Sequence, residues 1–297
     1  MIRFVCYLLM AIVSLPVWAE TDGHPVTLWR AEGQRNSVYL LGSIHLLREE
    51  DHPLPRVIDA AYEDAEVLIM ELDMDDLDSV ATQQMFTRNG VLQDGTTLRD
   101  LMGEELYRRA ADAAGAIDVP IEMLAQSEPW LAAVTVEMMM LYRIGFNPIL
   151  GVEMHMTARA VGDGKPIEGL EGVEEQLGFL DGLSLDAQRD MLIQTLEDSA
   201  ELAESIDEMI DAWRYGDVDV LEDGLLASIA EHEELNDVLV VKRNLRWAGK
   251  IAELLDDSDD YLIIVGALHL VGDQGVPELL ARKGVTVLQL RESTSVR

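Results

Sequence analysis

Two similar apolar runs constrain the fold of this chain more than any other feature. "SVYLLGSIHLL" covers residues 37–47 and "YLIIVGALHLVG" covers residues 261–272, and each passes from a β-type run into Gly-x-x-His. The second run contains four consecutive apolar residues without alternation, which is typical of a strand covered on both faces. We therefore predict two buried strands, one near each end of the chain, that carry His45 and His269 beyond their carboxyl ends.

The segments around these runs predict an α/β fold. "PVTLWRAE" and "SVYLLGS" flank the polar "GQRN", as in a β-hairpin. A third strand is predicted at Val67–Leu72, and the chain ends in a strand, a helix and a strand. Helical patterns fill most of the middle, apart from a short strand in "PIEGLE". Thr97 is the candidate N-cap of one of these helices, and Pro129 marks the start of another. We predict one α/β domain over residues 20–297, with a mostly parallel central sheet from both chain ends and a large helical insertion at about 90–255.

The first 19 residues predict a secretory signal peptide. Arg3 precedes an apolar run that ends at Val17-Trp18-Ala19, and acidic residues follow. The alternative is a membrane anchor, but the run is shorter than the roughly 20 apolar residues that a spanning helix needs. We expect cleavage after Ala19 and a periplasmic or secreted mature protein.

Composition excludes several classes of function. The chain has 297 residues, of which 48% are hydrophobic, so a large core is available. The one cysteine, Cys6, lies in the predicted signal, which excludes disulfides, thiolate metal ligands and a cysteine nucleophile from the mature chain. A net charge of −34 disfavours nucleic acid and anionic membrane surfaces. We expect neither as a partner after signal removal, and the oligomeric state stays open.

Known catalytic motifs also narrow the choice. The sequence contains no G-x-S-x-G, P-loop, H-E-x-x-H or glycine-rich dinucleotide motif. Serine hydrolase, kinase and dehydrogenase functions therefore have no support.

The two motif histidines and one carboxylate form a candidate site. Ligands of open α/β sheets bind beyond the carboxyl ends of the strands, where His45 and His269 would lie and where the third strand ends in Glu71. Two histidines and a glutamate are a recurrent catalytic metal set that leaves a position for water. The alternative for a histidine is a polar loop position, which is harder to sustain for a repeated motif. Glu71 could be a metal ligand or could cap the following helix, and both roles stay open. Arg243 could anchor a substrate carboxylate or hold Glu71.

Other residues near the motifs receive simpler interpretations. Gly42 and Gly266 suit a sharp turn or a close approach of backbone. Glu153 and His155 are two residues apart and do not share a helix face, so His155 is structural or peripheral. Arg246 fits a salt bridge on a helix surface. We expect both motif histidines to lie in a cleft that solvent reaches.

Five sequence elements together resemble the TraB/GumN family, which includes the Tiki proteases. They are "YLLGSIHLL", "LIMELD", "GKPIEGLEGVEEQ", "KRNLRWAGKI" and "VGALHLVGDQGV". The likeness covers roughly residues 26–290. It implies a fold similar to the erythromycin-esterase and ChaN-like proteins and, as in some members, a divalent-metal-dependent protease.

The resemblance also implies roles for individual residues. Eight match the family's motif positions: Gly42, His45, Glu71, Glu171, Arg243, Asn244, Gly266 and His269. The two histidines and the first glutamate would hold a divalent ion (Mn, Co or Zn) and, with the arginine, take part in catalysis. The second glutamate and the asparagine would contact the substrate. The chain departs from the family pattern at Ser43, Gly172 and Leu268, none of which removes a candidate ligand.

These expectations combine into a hypothesis of function with two alternatives. The hypothesis is an exported metal-dependent hydrolase, similar to a peptidase, with a peptide or other small substrate. One alternative is a metal- or haem-binding module without turnover. The other is an accessory interaction protein in the handling of polysaccharide or peptide signals.

Overall fold

The structure is a computed structural model that describes residues 23–230 and 232–293. The predicted signal peptide at residues 1–19 lies outside the described residues. Within the part of the chain that is described, none of the helices has the length and apolar character needed to cross a membrane.

A six-stranded sheet forms the centre of the molecule. Its strands are β1 (Gly23–Glu32), β2 (Ser37–Ser43), β3 (Val67–Leu72), β4 (Ile167–Glu171), β5 (Tyr261–Gly266) and β6 (Val287–Ser293). Their order across the sheet is β4-β3-β5-β2-β1-β6. The four strands β4, β3, β5 and β2 are parallel, while β1 is antiparallel to both β2 and β6. The predicted α/β class, the mostly parallel sheet and the hairpin of β1 and β2 are confirmed.

The strands of the repeated motif are neighbours in this sheet. β2 and β5 pair in parallel from Val38 opposite Tyr261 to Ser43 opposite Gly266. The two motifs are thus offset by one residue, because Gly42 lies opposite Val265 rather than opposite Gly266. Both strands are almost entirely buried, as expected for parallel strands with helices on both faces.

Helices cover the sheet and fill the middle of the chain. They are α1 (Arg56–Asp64), α2 (Ser79–Gly90), α3 (Leu98–Ala116), α4 (Pro129–Arg143), α5 (Val152–Asp163), α6 (Val173–Asp181), α7 (Leu185–Asp198), α8 (Leu202–Tyr215), α9 (Val218–Ala230), α10 (Glu233–Asn236), α11 (Lys242–Leu254) and α12 (Val276–Arg282). A short 3-10 turn, Ala267–Leu270, follows β5 and carries His269.

Helix starts follow local capping chemistry. Thr97 caps α3, and its side chain and that of Asp100 form a capping box. Pro129 is the first residue of α4, as expected, with Glu128 at the cap position. Helix α2 was not predicted; Asp78 caps it by accepting hydrogen bonds from the N–H groups of Val80 and Ala81. Its cap is one acid in the run "DMDDLD", which gives no distinct start signal.

The three larger hydrophobic cores of the described residues explain the layers. Apolar residues of α1, α5 and α8 pack on one face of the sheet, and those of α11 and α12 pack on the other. Helices α3, α4 and α7 share a further core of their own. The predicted insertion at 90–255 therefore contains helices with a separate core, but it also contains β4, which is an edge strand of the central sheet.

Candidate functional site

Three predicted site residues meet at the carboxyl edge of the sheet, above Gly266. A Cβ atom placed on Gly266 would lie 3.4 Å from Oε1 of Glu71 and 3.8 Å from Nε2 of His45. It would lie 3.7 Å from Cδ2 of His269. Because β3, β5 and β2 are consecutive in the sheet, their ends bring these side chains to one point. Gly266 leaves open the space in which they converge.

Gly42 serves a different purpose from Gly266. A Cβ atom on Gly42 would lie 2.5 Å from Cγ2 of Thr27 and 3.1 Å from Cα of Ala267. The carbonyl oxygen of Gly42 also accepts a 2.7 Å hydrogen bond from Nε1 of Trp213. Of the two roles expected for this glycine, the structure shows close approach: the first motif packs directly against the turn of the second.

His45 is the exposed member of the site. Its side chain is 61% exposed, and its Nδ1 donates a 2.7 Å hydrogen bond to Oε1 of Glu153. The hydroxyl of Ser43 donates to the same oxygen. The negative charge of Glu153 is the main cause that raises the pKa of His45 to about 9. The imidazole therefore carries a positive charge at neutral pH.

His269 lies at the buried side of the site, with a side chain only 5% exposed. Its Nδ1 lies 2.6 Å from Oδ1 of Asn244, whose amide nitrogen donates to the carbonyl oxygen of Gln274. That orientation of the amide leaves Oδ1 to accept, so His269 carries its proton on Nδ1 and presents a lone pair at Nε2. Nη1 of Arg243 lies 3.1 Å from this Nε2 and donates to it.

The protonation of His269 is opposite to that of His45. Burial lowers the pKa of His269 to about 4, and the charge of Arg243 acts in the same direction. The ring also packs against Trp247, with ring centroids 4.6 Å apart. The expectation of a cleft that solvent reaches holds for His45 and is wrong for His269, because α11 covers the second histidine.

Glu71 is fully supplied with donors. Its Oε1 accepts from the N–H of Gly266 at 2.8 Å, and its Oε2 accepts from Arg243 at 2.6 Å and from Gln176 at 3.1 Å. Burial opposes ionisation, but the charges of His269, Arg243 and His45 and the N–H of Gly266 outweigh it and lower the pKa of Glu71 to about 2. Since His269 is neutral above about pH 4, Arg243 is the main positive partner of Glu71 at neutral pH.

Arg243 connects two carboxylates. Its contact with Glu71 is one of the two roles predicted for it. It also donates from Nε and Nη2 to Glu171 at 2.9–3.1 Å. The side chain of Glu171 has no exposed surface, and Arg246 donates to it from the other side. Asn244 is also fully buried. Glu171 thus contacts Arg243, and Asn244 contacts His269. Contact of either residue with a substrate stays a prediction.

Comparison with known proteins identifies the family of this chain. The model of the TraB/PrgY/gumN family matches residues 27–289. The chain belongs to this family. The resemblance seen in the motifs is therefore confirmed.

Two curated relatives match most of the chain. They are the "Uncharacterized protein YbaP" of Shigella flexneri and the protein of the same name from Escherichia coli (strain K12). Each is 25% identical over 269 residues, which cover 89% of this chain and 96% of the relative. No solved structure matches.

Three residues of this TraB-family site escaped the sequence interpretation. Glu153 is 108 residues from His45, and no spacing rule connects them. Gln176 lies in the first turn of α6, directly after the carboxyl end of β4, and that position could have suggested it. Arg246 was interpreted as a surface residue, but it pairs with the buried Glu171 as well as with Glu175.

The donors at this point suit a divalent metal ion only in part. Each histidine has its Nδ1 held by an oxygen acceptor and directs Nε2 at the site, as metal-binding histidines commonly do, but the charged ring of His45 must first release the proton on its Nε2. Among the described residues, however, no group of three or more His, Cys, Asp or Glu side chains is arranged to hold a metal. Arg243 supplies a reason, since it already donates to Nε2 of His269 and to Oε2 of Glu71. The donor types fit Mn, Co or Zn, provided that Arg243 leaves Nε2 of His269.

Proposed function

We propose that this protein is an exported, divalent-metal-dependent hydrolase that acts on a peptide or another small substrate. The observation that carries the proposal is the convergence of Nε2 of His45, Oε1 of Glu71 and the ring of His269 above Gly266. Export is supported by the signal pattern of residues 1–19, after whose removal the mature protein would lie in the periplasm or outside the cell.

Each residue of the site has a role in this proposal. His45, Glu71 and His269 would hold Mn, Co or Zn, which when bound would polarise a carbonyl and lower the pKa of water. His45 faces solvent, so substrate reaches the site from its side, while His269 closes the back. Arg243, which Glu171 holds next to the site, would turn its guanidinium away from Nε2 of His269 and provide a positive charge that can stabilise negative charge on the reacting group. Glu71 is either a ligand or the general base.

Metal content and hydrolysis of the purified mature chain test the proposal. His45→Ala and His269→Ala should each lose bound metal and activity, because each removes one of only three protein ligands. His155→Ala is the matched control, since His155 lies near His52 (ring centroids 5.2 Å apart) and outside the site. Full metal content and full activity in both motif variants would show that the repeated motif is structural.

Glu71→Gln separates the two roles of this carboxylate. As a ligand, its loss should lower metal content together with activity. As a general base, its loss should lower activity by roughly 10²–10⁴-fold while the metal stays bound. Glu174→Gln is the control, because Glu174 is 84% exposed and its nearest cationic partner is 3.9 Å away.

The Arg243–His269 contact favours a second candidate, hydrolysis without a metal. In that case Arg243 stays on Nε2 of His269 and the pair His45–Glu153 supplies the acid–base chemistry. Chelator-treated, metal-free protein decides between the two: retained turnover supports the second candidate and contradicts the first. Metal or haem binding without turnover of any substrate would instead support a binding module, and binding of neither would support an accessory interaction protein.

A further inference from the structure

Packing alone leaves the ring of His45 poorly constrained. The residue lies beyond the end of β2, outside any regular element, and 61% of its side chain is exposed. Within the described residues, the ring makes one hydrogen bond, from Nδ1 to Oε1 of Glu153. The direction of Nε2 toward Gly266 therefore depends on this contact.

Glu153 is itself held firmly. Its side chain is 12% exposed and stands in the first turn of α5. The start of α5 is attached to the segment that carries His45, because the N–H of Val152 donates to the carbonyl oxygen of Ile44 at 3.1 Å. The hydroxyl of Ser43 donates to Oε1 of Glu153 as well. The exposed ring of His45 is thus hydrogen-bonded to an acceptor, Glu153, whose own position is fixed.

We propose that Glu153 is a positioning residue that holds His45 with Nε2 directed at the point above Gly266. An acceptor on Nδ1 selects the form of the ring that keeps Nε2 free for a ligand or a proton, and it also fixes the ring plane. Asn244 does the same for His269 from the opposite side of the site. This proposal rests on the proposed hydrolase site, but it concerns ring orientation, which can be measured without activity.

A simpler role for Glu153 would be to attach α5 to β2 through Ser43. Three variants distinguish the two roles. Glu153→Met keeps the length of the side chain and removes the acceptor. Glu153→Gln keeps an acceptor oxygen at the same reach. Ser43→Ala removes the hydrogen bond from β2 to Glu153 and leaves the acceptor of His45 in place.

Crystal structures of the wild type and the three variants at one pH give the orientation of the ring. We expect the ring of His45 to keep its position in Ser43→Ala and Glu153→Gln and to lose it in Glu153→Met. If the ring is displaced in both Glu153 variants, the proposal is also supported, and a charged carboxylate is then needed to hold the ring. A ring that stays in place in Glu153→Met, or that moves in Ser43→Ala, overturns it.

Titration with Co²⁺, followed by its visible absorption, adds a second measurement on the same proteins. If the positioned ring is a ligand, Glu153→Met should bind Co²⁺ about 10–100-fold more weakly than the wild type. A wild type that binds no Co²⁺ would count against the proposed metal site alone. The ring orientation would still decide the role of Glu153, so the two failures are distinguishable.

Discussion

The two Gly-x-x-His segments share a pattern and differ in almost every physical property. His45 is 61% exposed, pairs with a carboxylate and has its pKa raised to about 9. His269 is 5% exposed, pairs with an amide and an arginine, and has its pKa lowered to about 4. The helices that supply the partners cause this difference, because Glu153 belongs to α5 and Asn244 and Arg243 belong to α11.

The difference divides the site into an open side and a fixed side. On the open side, a charged histidine faces solvent and is oriented by a single carboxylate. On the fixed side, a neutral histidine is enclosed by Trp247 and by the network of Arg243 with Glu71 and Glu171. The repeated motif therefore fixes the backbone positions of the two histidines. The neighbouring helices determine the exposure, the charge and hence the possible chemistry of each ring.

Removing the arginine of the fixed side should have the largest effect on stability. Arg243→Ala leaves Glu71 and the fully buried Glu171 without their shared cation, and breaking a buried ion pair from one side typically costs about 3–5 kcal/mol. Urea unfolding monitored by circular dichroism measures the loss. Arg282→Ala, which removes a half-exposed arginine paired with Glu278, is the control and should change stability by less than about 1 kcal/mol. Equal losses in the two variants would show that the network of Arg243 adds nothing.

The two histidines should also act in different pH ranges. The folded protein binds a proton at His269 only near pH 4, whereas the unfolded chain binds it near pH 6.5. The unfolded state thus carries more protons in between, and stability falls as the pH drops from 6.5 toward 4. Over the range from pH 6.5 to 4.5 the loss should be about 2 kcal/mol greater in the wild type than in His269→Gln.

His45 provides the internal comparison for that measurement. Its pKa is raised, so its contribution is complete below pH 6.5 and is lost as the pH rises toward 9. Because the side chain is mostly exposed, solvent screens its charge and weakens this contribution. His45→Gln should keep the acid-range slope of the wild type. An acid-range slope that flattens in His45→Gln but not in His269→Gln would reverse the assignment of the two sides.

Local signals in the sequence predicted most of the fold. The span of β3 was predicted to the residue, and the cap of α3 at Thr97 and the proline at the start of α4 were also correct. Each depends on neighbouring residues alone: apolar runs, a capping side chain or a fixed proline φ. The missed helix α2 follows Asp78, one of four closely spaced acids, so no single residue marked its cap.

The site could be predicted only as far as the strands determine it. Strand ends placed His45, Glu71 and His269 at one edge, and the structure brings them together there. The burial of His269 and the contact of His45 with Glu153 depend on where α11 and α5 pack, and both helices lie far away in the sequence. Periodicity shows which face of a helix is apolar, but not which strand end that helix covers.

Alanine at the two motif glycines should separate packing from function. Gly42→Ala brings a methyl group to 2.5 Å from the buried Thr27 and 3.1 Å from the backbone of Ala267, so something must move. We expect a loss of about 1–3 kcal/mol, as is usual for overpacking. Gly266→Ala meets its nearest atom, Oε1 of Glu71, at 3.4 Å and should cost less than about 1 kcal/mol.

The two glycine variants should also differ in ligand binding. The methyl group of Gly266→Ala occupies the point where the three side chains converge, so this variant should lose metal binding and hydrolysis although it remains folded. Gly42→Ala should lose stability first and keep its ligand affinity while folded. Thermal melting and Co²⁺ titration of both variants provide the measurement. A destabilised Gly266→Ala with intact Co²⁺ binding would contradict the separation.

The smallest effect on stability is expected for His45→Ala. The ring contributes an ion pair with Glu153 that is open to solvent on the side of His45, and ion pairs that solvent reaches contribute about 0–1 kcal/mol. Glu153 keeps the hydrogen bond from Ser43, so its carboxylate is not left without a donor. His269→Ala, by contrast, removes a buried ring and leaves Asn244 and Arg243 without their shared partner, which should cost about 1–3 kcal/mol or more. Urea unfolding at pH 7 of the two variants, with His155→Ala as an exposed control, measures the difference. If His45→Ala and His269→Ala lose equal stability, the division into an open and a fixed side is wrong, because both histidines would then belong to the packed interior.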